Sequence, residues 1–148
     1  MAITTINIGS AANDGTGDTL RAAFGHVNTN FENFKIEGTN FTGSLLVGHS
    51  TTGTLSSASN NTGIGISALD ALSTGDDNVA VGTGAAGAIS AGSSNVAIGH
   101  VALASETSGS RNVAIGQGTL NALSHGADAY NVAVGYQAGL AVTTGIYN

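Results

Sequence analysis

Few residues in this chain could carry chemistry: His26, His49, His100 and His125, the adjacent pair Asp76 and Asp77, and Tyr130, Tyr136 and Tyr147. Histidines ligate metals and move protons; paired carboxylates hydrolyse glycosides; aromatic faces stack on sugars. None of these sets meets its own geometric requirement. His49 and His100 share a column of the repeat described below, yet they lie three repeats apart. At the spacing of stacked strands that is roughly 14 Å, too far for one metal within a chain. Around a threefold axis either histidine could meet its symmetry mates, which leaves an axial ion as the metal reading. His26 reads as a surface residue and His125 as a solvent-facing turn residue. Asp76 and Asp77 end the turn Ser73-Thr74-Gly75-Asp76-Asp77, where they stay solvated, and on a strand adjacent side chains point oppositely. The chain contains no Cys nucleophile and no recurring Gly-Gly-x-Gly-x-Asp, and Gly15-Thr16-Gly17 is too short for a phosphate loop. The expectation is therefore a protein that is not an enzyme and holds no cofactor or metal. Its tyrosines pack between neighbouring rungs or chains, with sugar stacking as the competing reading.

What positions these residues is a repeat. Asn61-Thr-Gly-Ile-Gly65, Asn78-Val-Ala-Val-Gly82, Asn95-Val-Ala-Ile-Gly99, Asn112-Val-Ala-Ile-Gly116 and Asn131-Val-Ala-Val-Gly135 recur, and Asn148 begins another copy. The period is 17 residues, except for the 19 between Asn112 and Asn131, and Ser44-Leu-Leu-Val-Gly48 is a degenerate first copy. Self-similarity at such a period signals stacked units. The chain of 148 residues has 23 Gly, no Pro, no Cys and 8% charged residues, a composition that the strict repeat resolves in favour of order. A net charge of −6 with only Arg21, Lys35 and Arg111 as fixed cations argues against nucleic-acid binding. The opening residues Met1 to Gly9 carry neither a basic stretch nor a continuous apolar run, which argues against a secretory signal, and no apolar run is long enough to span a bilayer.

Before the repeats, Ile3, Ile6 and Ile8 mark a short extended segment, followed by a turn-rich stretch to Gly17. Asp18 or Thr19 can cap a helix. Leu20, Ala23, Phe24, Val27, Phe31 and Phe34 then fall on one stripe, predicting an amphipathic helix over about 18–35. A helix that short needs a packing partner, and sister chains would supply one. The organisation expected is an N-terminal attachment and trimerisation segment over 1–36, a linker over 37–43, and repeats over 44–148 that continue beyond Asn148.

Each repeat is long enough for two short strands and two tight turns, which predicts a mainly β chain forming a parallel β-solenoid of 17-residue rungs. The first strand is the Asn-Val-Ala-Val-Gly unit. The second would run through Ala68 to Leu72, Ala85 to Ile89 and Thr119 to Leu123. Gly75, Gly92, Gly109, Gly126 and Gly145 form a column that positive φ would explain. The extra residues follow Gly126 and lengthen a turn while sparing the strands. Stacking aligns Asn61, Asn78, Asn95, Asn112, Asn131 and Asn148 into a structural ladder of amides. Val and Ile alternate with Ala without charge on either face, so both faces call for burial: one inside the coil, the other under further copies of the chain, as a homotrimer.

The Asn-Val-Ala-Ile-Gly unit, with a small residue three places on as at Ala102 and Ala138, resembles the head repeat of trimeric autotransporter adhesins, whose heads are trimeric left-handed parallel β-rolls. The stretch from Ile8 through Asn13-Asp14-Gly15-Thr16-Gly17-Asp18-Thr19-Leu20-Arg21 to Phe24, then Asn28-Thr29-Asn30-Phe31, resembles the opening of virion structural and tail-fibre proteins of tailed bacteriophages, notably cyanophages. That resemblance implies an N-terminal segment that docks to other virion proteins, with Leu20, Phe24, Val27, Phe31 and Phe34 in its trimerisation helix, followed by a fibre shaft serving attachment to host glycans. It also implies residence in the virion. The alternative is a bacterial trimeric surface adhesin.

Overall fold

The computed structural model describes residues 34–38, 41–47 and 56–148. The chain divides into Met1–Asn33 and Phe34–Asn148. Leu20, Phe24, Val27 and Phe31, and with them most of the expected helix, lie outside the described residues.

The second unit is a parallel β-solenoid. Its short strands are β1 (Phe34–Gly38), β2 (Phe41–Val47), β3 (Ala58–Ser59), β4 (Thr62–Ile64), β5 (Val79–Val81), β6 (Val96–Ile98), β7 (Val113–Ile115) and β8 (Val132–Val134). From β2 through β4 to β8 the strands pair in parallel with no slip, so Leu45 faces Thr62, Val79 faces Val96, and Val113 faces Val132. β1 pairs antiparallel with β2 and closes that end of the sheet. Phe34 and Lys35 therefore belong to a strand, which corrects the end of the expected helix. The expected linker is likewise replaced, since Gly38 and Phe41 are partners in that antiparallel pair.

From β4 to β8 each rung has one three-residue strand. The second strand expected at Ala68 to Leu72 and its equivalents is instead a run of tight turns, closed by bonds such as Ala68 N–H to Gly65 C=O and Leu72 N–H to Leu69 C=O. The physical reason is the inward stagger. Ala68, Leu69 and Leu72 are all fully buried, and a strand would turn one of the neighbours Ala68 and Leu69 outward. Holding both inside takes a left-handed residue at the corner, and Leu69, Ala86, Leu103 and Leu120 all have φ between 47° and 56°. Single such residues are costly for L side chains. Each is fixed by bonds to the next rung, as Leu69 N–H donates to Ala85 C=O and Leu103 N–H to Thr119 C=O.

The core is narrow and repetitive. Ala80, Ala97 and Ala114 point inward from the strands and meet Leu69, Leu72, Ile89, Leu103, Leu120 and Leu123 from the turns. Val and Ile of the same strands point outward. Ile64 is 44% and Ile98 37% exposed, so the alternation resolves with Ala inside. Gly63 replaces Ala in the strand column because Leu46 of the preceding rung occupies the space that its Cβ would fill.

Glycines mark two columns for different reasons. Gly65, Gly82, Gly99 and Gly116 leave the strands at φ of 128–132°, and a Cβ on Gly99 would lie 2.6 Å from the Gly116 carbonyl. Of the column expected to have positive φ, only Gly126 does; Gly75, Gly92, Gly109 and Gly145 do not, and positive φ falls two positions on. Gly75, Gly92 and Gly109 are glycine because a Cβ would strike a close neighbour, the Gly92 or Gly109 carbonyl on the next rung in two cases and the Glu106 carboxylate of the same rung in the third. Left-handed φ falls instead on Asn60, Asp77, Ser94, Arg111, Tyr130 and Tyr147.

Candidate functional site

The structure brings the recurring asparagines into a buried ladder. Asn61, Asn78, Asn95, Asn112 and Asn131 have no exposed surface. Asn78 Oδ1 accepts from the backbone N–H of Asn95 at 3.0 Å and from its Nδ2 at 3.1 Å. Asn78 Nδ2 donates to Asn61 Oδ1 at 3.0 Å and to Gly92 C=O at 2.8 Å. Both amide hydrogens and both oxygen lone pairs are thereby used, the full capacity of the side chain. The bond to Gly92 also ties the start of a rung to its end. Asn95 repeats the pattern with Gly109. At the N-terminal side Ser44 Oγ accepts the Asn61 N–H at 2.7 Å, so serine takes over the acceptor role in the degenerate copy.

The ladder continues across the long rung. Asn131 N–H reaches Asn112 Oδ1 at 3.2 Å, its Nδ2 goes to Gly145 C=O at 2.7 Å, and Asn148 Nδ2 donates to Asn131 Oδ1 at 2.9 Å. The extra residues leave the strands intact, since Ala114 still faces Ala133.

A second ladder lies one corner away. Ser59 N–H donates to Asp76 Oδ1 at 2.7 Å, Asp76 N–H to Ser93 Oγ at 3.0 Å, and Ser93 N–H to Ser110 Oγ at 3.0 Å. Its signal was present in the sequence as short oxygen-bearing side chains at the 17-residue period. Asp76 and Asp77 are thus both engaged, the latter accepting from Asn60 Nδ2 at 3.1 Å.

Tyr130 and Tyr147 stack with centroids 5.1 Å apart and planes 3° from parallel, and Arg111 lies over Tyr130 at 5.5 Å. Arg111 also pairs with Asp128. These groups join successive rungs to one another. Tyr136 is 70% exposed and stands apart from the stack. His100 is exposed, His49 lies outside the described residues, and no group of three or more His, Cys, Asp or Glu able to hold a metal occurs among the described residues. The feature best suited to contact another molecule is the outer strand face. It is formed by Thr62, Val79, Val96, Val113 and Val132 in one column and by Ile64, Val81, Ile98, Ile115 and Val134 in the next, without a charge. Comparison with protein-family models, curated proteins and solved structures finds no match.

Proposed function

We propose that this protein is a structural component of a phage particle: a trimeric fibre or appendage anchored through its N-terminal segment, with the solenoid as a projecting shaft that serves attachment to host glycans. The observation that carries this reading is the uncharged Val and Ile face along the in-register stack, beside an interior already filled by alanine, leucine and the amide ladder. β-branched residues left on a sheet face call for cover, and a sister chain with the same repeat offers matching columns at the same spacing. Repetition along the stack serves mechanical continuity better than catalysis, which needs one constellation. The resemblance of residues 8–31 to virion proteins supports anchoring at that end and a place on the particle.

Sedimentation equilibrium of the full chain, joined to cryo-electron microscopy of particles labelled at this protein, tests the reading. Three copies per assembly, with density projecting from the particle, support it. A monomer whose Val and Ile face is wet, or its location on a bacterial envelope, overturns it.

A further inference from the structure

One side chain breaks the pattern of the core. The inward position that is Leu72, Ile89, Leu123 and Val142 on other rungs is Glu106 here, with no exposed surface. Its carboxylate is saturated by main chain. Oε1 accepts from the N–H groups of Thr107 at 2.9 Å, Ser108 at 3.2 Å and Gly109 at 2.7 Å, while Oε2 accepts from His125 N–H on the following rung at 2.9 Å.

The other rungs show what this replaces. Ser73, Thr74 and Gly75 N–H all donate to the Ser90 carbonyl one rung on, and Ser90 and Ala91 N–H donate to the Thr107 carbonyl. By the same rule Thr107, Ser108 and Gly109 would donate to the carbonyl of Ser124. They turn to Glu106 instead. The rung that contains Ser124 is the long one, whose surplus residues Ala127 and Asp128 follow directly. There Ser110 N–H goes to the Ala127 carbonyl, and Ala129 N–H takes the Ser110 carbonyl that Tyr130 would otherwise use. His125 Nδ1 is also the buried side-chain polar atom left without a hydrogen-bond partner among the described residues.

We infer that Glu106 is a staple that substitutes for the Ser124 carbonyl displaced by the two-residue insertion, so that the Thr107, Ser108 and Gly109 N–H groups at the junction between rungs 95–111 and 112–130 are held through one side chain. The inference rests on bonding geometry and is independent of the proposed function. An anionic oxygen accepts several convergent N–H groups, as backbone nests do for anions. Leucine would fill the space and leave four donors without acceptors, Gly109 N–H buried and the other three partly so.

The test is a double-mutant cycle on the full chain: Glu106→Leu, deletion of Ala127 and Asp128, and both together, read by thermal midpoint and by amide hydrogen exchange. Glu106→Leu alone lowers the midpoint and speeds exchange at Thr107, Ser108, Gly109 and His125 by about tenfold or more. With the insertion removed, the Ser124 carbonyl returns to its column, and the same substitution is neutral or stabilising. An equal loss in both backgrounds, or no loss in either, overturns the inference. Should the deleted chain fail to fold, Glu106→Gln in the full chain decides. Its amide keeps one acceptor for the Thr107, Ser108 and Gly109 N–H groups and turns a donor toward His125 N–H, so faster exchange centred on His125 supports the staple, and unchanged protection at all four amides overturns it.

Discussion

The rungs spanning 61–111 and the long rung 112–130 build the same strand with different corners. In the first set, as far as Asn95, corner N–H groups find carbonyls, asparagine Oδ1 atoms or short side-chain oxygens on an adjacent rung. Where rung 95–111 meets the long rung, the strand keeps its register while the N–H groups of Thr107 to Ser110 pass to Glu106 and to the Ala127 carbonyl. The contrast separates what the solenoid requires from what it tolerates. Strand register and the inward residues are required, because a slip would turn buried alanines outward. Corner length is negotiable wherever a substitute acceptor is at hand.

Mutations can press on that contrast. The largest effect is expected at the ladder's centre, where Asn95→Ala strands buried groups of its own rung and of both neighbours and costs on the order of 4 kcal/mol in urea unfolding. Asn131→Ala, beside the irregular corner and on a rung whose Val132 and Val134 are 61% and 65% exposed, costs roughly half as much, since water reaches the groups left behind. Equal losses would mean that the corners carry no weight in the ladder.

Next in size is a glycine pair. Gly99→Ala drives a Cβ into the Gly116 backbone and costs about 3 kcal/mol, whereas Gly135→Ala, with nothing within 4 Å of the new atom, costs only the backbone strain of about 1–2 kcal/mol at φ 126°. A smaller change follows at the second ladder: Asp76→Ala removes the acceptor for Ser59 N–H and lowers stability by about 1 kcal/mol. The smallest belongs to the surface of the long rung. Arg111→Ala, whose pair with Asp128 is about half exposed on both sides, costs roughly 0.5 kcal/mol at low salt, and most of that effect disappears in 1 M salt.

The period, the strand column and the alignment of asparagines were open to reading because stacking demands the same residue at the same place on every rung. What lay beyond reach was set by dihedral angles and by neighbours in space. Nothing in the residue type announces that Leu69 or Leu103 takes a left-handed conformation, so the corner looked like a strand. Nor does Gly92 reveal that it is glycine for close stacking instead of positive φ. Phe34 continued a helical stripe by spacing, yet pairing with Val47 across an antiparallel edge prevailed. Glu106 was visible as the lone charge in an aliphatic column, although its role needed the positions of Ser108, Gly109 and His125 together.

Because Asn61 meets Asn78 as Asn78 meets Asn95, rungs 61–77 and 78–94 can be exchanged for one another without altering a contact type in the asparagine ladder. Excising residues 78–94 as one block would set Asn61 against Asn95 and Gly65 against Gly99, leaving every seam closed. Reach is therefore quantised: the molecule grows or shrinks in steps of about 4.8 Å, by whole-unit duplication or loss, as a ruler is cut at its own graduations.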